Sequence, residues 1–163
     1  MPKVIPVHKK VEKHLVSNYR PISLLSFFDK ILEKLMYFRF YNYLTANNIL
    51  RADQFGFRKN HSTNLALINV IDEIYKHQKI IGIYLDLQKA FDTIDHAILL
   101  CKLYRYGVRG SVYERFKSNL SDRCQFVYVN WTCSELGDVK CGVPQGSVLG
   151  PLLFLRYVND IQN

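Results

Sequence analysis

The sequence predicts an α+β domain built in α/β layers. Three observations carry this. Stretches whose apolar residues recur every three or four positions alternate with short runs rich in Val, Ile, Phe and Tyr. The short runs are separated by helical stretches, which is the pattern of helices layered on a sheet. The chain has 163 residues, 48% of them apolar and 13% aromatic, enough for about one domain with a buried core.

The elements follow in order. "KVIPV" (3–7) reads as a short strand and "HKKVEKH" (8–14) as a basic hairpin tip. "LVSNYRPISL" (15–24) stays extended up to Pro21, because a residue before proline avoids helical angles. Leu25, Phe28, Ile31, Leu32, Leu35 and Phe38 fall on one face of a helix over 25–44. "ADQFGFRKN" (52–60) is a loop around Gly56. Ser62 or Thr63 caps a second helix, whose face is Leu65, Ile68, Ile71 and Tyr75. "KIIGIY" leads into a buried strand over 80–86. A third helix spans about 96–106 and stops at Gly107; a fourth spans about 111–120. "QFVYVN" and "ELGDVKCG" read as strands, "VPQGS" as a turn, and 147–161 as a helix with Pro151 in its first turn.

The formal charge of +8 favours a polyanionic partner such as nucleic acid, although an ordinary basic domain fits the charge equally well. The four cysteines, Cys101, Cys124, Cys133 and Cys141, show no C-x-x-C pair and no finger-spaced histidine. That argues against zinc and for reduced, mostly buried thiols. "MPKVIPVHKK" lacks the apolar core of a signal peptide, and "VLGPLLFL" is too short to cross a bilayer. The expectation is a soluble intracellular protein with no membrane contact and no readable oligomeric state.

Three aspartates crowd "LDLQKAFDTIDH" (85–96). A carboxylate at the carboxyl end of a buried strand can reach a cleft and hold a divalent cation. Asp86 either does this or caps the following turn. Asp95 precedes an apolar-periodic stretch and reads as a helix N-cap. Asp92 reads as a turn residue bonding to nearby backbone.

"YRPISLLS" (19–26), "QFGFRKNHST" (54–63), "LDLQKAFDTIDH" (85–96), "LYRYGVRG" (103–110) and "GVPQGSVLGPLLFLRYVNDI" (142–161) occur in this order. Together they resemble the reverse transcriptase domain of non-LTR retrotransposons of the LINE or jockey-like kind, and the resemblance spans nearly the whole chain. It implies the fingers (about 1–80) and part of the palm (80–163) of a right-hand polymerase. The implied activity is RNA-directed DNA polymerisation: two-metal addition of deoxynucleoside triphosphates to a DNA primer on an RNA template, in the nucleus.

By the same resemblance, Asp86 is the first metal-binding aspartate, catalytic and shared with the Leu87 carbonyl, and two Mg2+ ions are expected. Phe91, an ordinary core aromatic on its own, would lie beneath the incoming sugar and exclude a 2′-hydroxyl. Gln145 would touch the nucleotide, and Gly146 would let the backbone approach it. In isolation a plain turn explains both, with Ser147 then capping the helix. Arg20 would grip the triphosphate with its guanidinium fork. Lys10, or else Lys9, would add a second positive charge. Arg58 and Lys59 would lie along the template backbone, with His61, Lys89 and Arg109 adding salt-dependent phosphate contacts.

The family's other aspartates lie in a Tyr-x-Asp-Asp hairpin beyond this stretch, and Asn163 comes before it. The hairpin and the thumb are therefore expected to be absent and the fragment inactive alone. "YVND" (157–160) reads as a helix end, with Asp160 a polar terminal residue. Arg156 stands where the family has an apolar side chain; it is costly if buried, or snorkels to solvent. A catalytically dead, nucleic-acid-binding remnant of a transposable element is the alternative reading. Exposed sheet edges and apolar faces predict poor solubility.

Overall fold

The computed structural model describes residues 3–9, 12–77 and 79–161. Strand β1 (Lys3–His8) pairs antiparallel with β2 (Tyr19–Leu24), setting Val7 opposite Arg20; a single 3-10 turn at Val16–Asn18 precedes β2. Helices α1 (Phe27–Ala46) and α2 (Thr63–Lys76) follow, then α3 (His96–Arg105) and α4 (Gly110–Leu120). Strands β3 (Arg123–Val129), β4 (Thr132–Cys133) and β5 (Gly137–Val139) precede α5 (Gly150–Val158). The sheet order is β2-β1-β3-β4, β1 and β3 run parallel, and β5 also pairs with β3. The α+β reading of the sequence holds.

Local chemistry explains the helix starts. Ser26 caps α1 by accepting from the Asp29 N–H, and Ser62 caps α2 by accepting from Leu65. Asp95 caps α3 by accepting from the Ile98 N–H at 2.9 Å, as its position predicts. β4 is a strand the sequence reading missed. It closes a hairpin through Asn130 and Trp131, both at positive φ, the backbone of a type I′ turn. Asn130 suits that geometry but Trp131 does not, so no turn signal is visible in the residue types.

The core lies where α3, α4 and α5 meet. Leu99 and Leu103, Phe116 and Leu120, and Leu152, Leu153 and Leu155 are all buried there. Helix α1 joins through Phe40 and Leu44, with Phe40 edge-on to Phe116 at 5.0 Å between ring centres.

Several expectations are corrected. Residues 80–86 form no strand; the segment is irregular and exposed, including Ile81, Ile83, Tyr84 and Leu85. An apolar run becomes a strand only if neighbours take its N–H and C=O groups, and the five strands here pair with one another instead. The predicted core stripe of α1 faces outward, with Phe28 77% and Phe38 65% exposed, while Glu33, Phe40 and Leu44 are buried. The predicted face of α2 is exposed as well. Periodicity reports that a face is apolar, not what covers it. The thiols are not mostly buried: Cys101, Cys133 and Cys141 are exposed and Cys124 is half-buried. The last helix begins at Gly150 with Leu149 as its N-cap, so Ser147 stands before the helix start.

Candidate active site

The stretches 91–96 and 142–150 are strapped together by main-chain bonds. Val143 N–H donates to the Phe91 carbonyl at 2.8 Å, and Gly142 N–H to the Ile94 carbonyl at 2.7 Å. His96 Nε2 lies 2.7 Å from the Gly142 carbonyl, which can only accept, so the proton sits on Nε2. Gly142 has φ +85°, and a Cβ there would lie 2.9 Å from the Phe91 and Asp92 carbonyl oxygens. Only glycine fits at that position.

The next turn bonds to the sheet. Ser23 N–H on β2 donates to the Gln145 carbonyl at 2.8 Å. Gly146, at φ +104°, lets this contact form: a Cβ would meet the Ser23 carbonyl at 3.0 Å. The Gln145 side chain turns back, and its Nε2 donates to Asp92 Oδ1 at 3.0 Å. A cavity of ≈ 140 Å³ opens here, bounded by Pro21, Asp92, Arg123, Gln125, Cys141 and Gln145.

Glu33 fixes the same loop from the helix side. It is only 4% exposed, and its carboxylate accepts from the Val148 N–H at 2.7 Å and the Ser147 hydroxyl at 2.9 Å. Ser147 Oγ in turn accepts from the N–H groups of Leu149 and Gly150. These are donors that a helix start leaves without partners, so Ser147 acts as a cap from one turn back. Burial pushes the nearby Arg123 guanidinium below its ordinary value, against the pull of the Glu33 charge. Sequence reasoning missed Glu33 because it followed the more apolar stripe. A second stripe, Glu33, Met36, Phe40 and Leu44, has the same helical spacing and is the one that packs inward.

The other sequence-predicted residues scatter around this loop. Asp86 and Leu87 lie on the exposed segment before the 91–96 turn, and no described residue engages the Asp86 carboxylate. Phe91 is half-buried in an aromatic cluster, 4.9 Å from Phe154 and 5.8 Å from Phe57. Arg20 is exposed on β2. Lys10 lies outside the described residues, and Lys9 is tied by its main-chain N–H to the Asn18 carbonyl. Arg58 donates from Nη1 to the carbonyls of Arg51 and Gln54, at 2.6 and 3.2 Å, so its guanidinium braces its own loop. Lys59 is exposed, and its main-chain N–H donates to the Tyr41 hydroxyl. His61 bonds the Lys59 carbonyl through its ring, and Lys89 is exposed. Arg109 stacks on Tyr104 at 3.4 Å.

Asp160 follows the end of α5, where its carboxylate pairs with Lys102 Nζ on α3. Burial works against its ionisation, but the Lys102 hydrogen bond and charge, helped by Arg156, hold the carboxyl below its ordinary value. Asn159 donates to the Ile49 carbonyl and accepts from the Arg51 N–H, pinning the 49–51 turn. Arg156 does not snorkel. It is fully buried, 3.3 Å over the Tyr106 ring, and its three side-chain nitrogens find no hydrogen-bond partner among the described residues.

Among the described residues no group of three or more His, Cys, Asp and Glu side chains could hold a metal ion. Asp86 and the Leu87 carbonyl are hard oxygen donors on an open segment. That donor set suits a hard cation that keeps water and substrate phosphate as its other ligands. Neither donor is committed to another described side chain.

The loop sequence and the way it is held define a class. Residues 7–163 match the family model for reverse transcriptase (RNA-dependent DNA polymerase). The chain is 34% identical over 170 residues to "Probable RNA-directed DNA polymerase from transposon BS" of Drosophila melanogaster, covering 99% of this chain and 18% of that protein. It is 36% identical over 166 residues to the RNA-directed DNA polymerase from mobile element jockey of Drosophila melanogaster, covering 97% and 18%. The jockey polymerase of Drosophila funebris is 35% identical over 155 residues, covering 91% and 16%. The chain belongs to the reverse transcriptase family, and specifically to its non-LTR retrotransposon branch. It spans less than a fifth of the length of these relatives. No described helix is long and apolar enough to cross a membrane.

Proposed function

We propose that this chain is the fingers (about 1–80) and partial palm (80–163) of an RNA-directed DNA polymerase. In that reading the intact polymerase adds deoxynucleoside triphosphates to a DNA primer annealed to an RNA template. The observation that carries the reading is the joining of the 85–96 and 142–150 motifs by the Phe91–Val143 and Asp92–Gln145 bonds. Segments far apart in sequence thus share one loop pair, and Asp86 lies five residues ahead of it.

Each residue then has a physical task. Asp86 and the Leu87 carbonyl would hold Mg2+, two ions being expected in the intact enzyme. Bound there, the metal supplies charge neutralisation at phosphate and a more acidic primer hydroxyl. Gln145 and Gly146 would bind the nucleotide, with Asp92 fixing the rotamer of the amide. Phe91 would exclude a 2′-hydroxyl by bulk. Its packing against Phe57 and Phe154 supplies the rigidity that such selection needs. Arg20 would take the triphosphate, and Lys10 would add a second positive charge. Lys59 would contact template phosphates directly, while Arg58 would act by bracing the loop that carries Lys59.

In this reading Asp86 supplies one carboxylate, and among the described residues no group of three or more His, Cys, Asp and Glu side chains could hold a metal ion. It is therefore expected to bind nucleotide without extending a primer. The test is equilibrium binding of a fluorescent deoxynucleotide in Mg2+, with D86N and Q145A as variants. Both should weaken binding at least about tenfold, the effect of losing a charged or bidentate contact. Wild-type affinity in both variants, or primer extension by this chain alone, would overturn the assignment. If nucleotide binding is lacking but salt-sensitive duplex binding persists, the dead nucleic-acid-binding remnant is the better reading.

A further inference from the structure

A groove of ≈ 930 Å³ runs between α1 and α4, and none of Asp86, Phe91 and Gln145 lines it. One wall is Leu32, Leu35 and Met36 of α1, and the other is Val112 and Phe116 of α4. Leu32, Leu35 and Val112 are each more than half exposed, at 52%, 57% and 53%. Four arginines also line the groove: Arg39 from α1, Arg109 and Arg115 from α4 and the turn before it, and Arg123 from β3.

The charges do not cancel. Two acidic residues line the groove, and both are engaged: Glu33 by Ser147 and Val148, and Asp29 by the Ser26 hydroxyl. Arg39 and Arg115 are exposed and have no partner among the described residues. Arg123 Nη1 is buried without a hydrogen-bond partner among the described residues. Arg109 and Ser111, at the N-terminus of α4, line the same space, and among the described residues no side chain caps that helix end, which adds a fixed partial positive charge. Apolar walls with positive flanks complement a ligand with the opposite arrangement.

We infer that this groove docks an acidic amphipathic helix from a partner protein. An α-helix is about 10 Å across and rises about 5.4 Å per turn, so the groove accepts about two turns. An apolar stripe at i, i+3, i+4 and i+7 would cover Leu32, Leu35 and Val112, and flanking Glu and Asp would meet Arg39 and Arg115. A nucleic-acid strand satisfies the arginines but leaves the apolar walls in water. The complementarity therefore favours a helix.

The probe is a fluorescein-labelled Leu/Glu amphipathic peptide of about 14 residues, titrated with the full chain and read by anisotropy. A Leu/Lys peptide of the same pattern is the control. The Glu peptide is expected to bind at least about tenfold more tightly than the Lys peptide. The double reversal R39E/R115E should invert that preference, and L35D should weaken both peptides. Arg39, Arg115 and Leu35 are exposed, so the variants should keep the wild-type circular dichroism and melting curve. If the double reversal melts early, R39A/R115A replaces it and should level the preference. Equal binding of the two peptides, or a preference unchanged by reversal, would overturn the assignment. So would displacement of the Glu peptide by a single-stranded oligonucleotide, which would make the groove a nucleic-acid site.

Discussion

The Gln145 side chain donates to Asp92 across 53 residues of sequence, at 3.0 Å. This bond fixes the amide of the Pro144–Gly146 turn against the turn that follows Asp86. The first prediction is energetic coupling. D92A removes the charged acceptor and is expected to cost about 1–2 kcal/mol. A double-mutant cycle with Q145A should show a coupling of about 0.5–2 kcal/mol by urea denaturation. Additive costs would mean the bond contributes nothing in solution.

Glu33 gives a larger effect. Truncation in E33A leaves a cavity and deprives the Val148 N–H and the Ser147 hydroxyl of their acceptor. The expected cost is about 2–4 kcal/mol. E33Q should fall between E33A and wild type, because its one remaining oxygen can serve one donor while its amide faces the other. Denaturant midpoints of the three proteins check the ranking.

Arg156 predicts the opposite sign. Its guanidinium is buried without hydrogen-bond partners among the described residues, and burial pushes it below its ordinary value, with Tyr106 and Asp160 pulling the other way. R156M keeps the length and removes the uncompensated charge. It is expected to raise stability by about 1–3 kcal/mol, seen as a higher melting temperature. A fall of similar size would show that the stacking on Tyr106 outweighs desolvation.

The Asp160–Lys102 pair sets an acid dependence. Asp160 is depressed in the folded chain, whereas an unfolded aspartate titrates near about 3.9. Between those two values the unfolded state binds more protons, so stability falls as pH drops through the interval. Above about pH 5 the pair's contribution is complete. D160N should remove this part of the acid slope and leave the rest unchanged.

The outward stripe of α1 predicts self-association. Phe28, Ile31 and Phe38 are exposed and lie outside the α1–α4 groove. Light scattering should rise with concentration for the wild type and less for F28E/F38E, with an unchanged melting temperature. A wild type that stays monomeric at high concentration would count against it.

The sequence by itself determined the local events. Asp95 capped its helix, Gly107 ended it, Pro151 opened the last one, and "KVIPV" and most of "QFVYVN" became strands. Each depends on side-chain chemistry within a few residues, and the ordered motifs alone pointed to the family. Tertiary structure decided which apolar faces found partners. It turned the second stripe of α1 inward, leaving Phe28 and Phe38 in solvent and burying Glu33 as a bracket for the Gly142–Gly150 loop. It also left "KIIGIYL" unpaired, because a strand exists only where another backbone takes its hydrogen bonds. Burial and pairing are properties of two surfaces at once, and periodicity within one segment records only its own half.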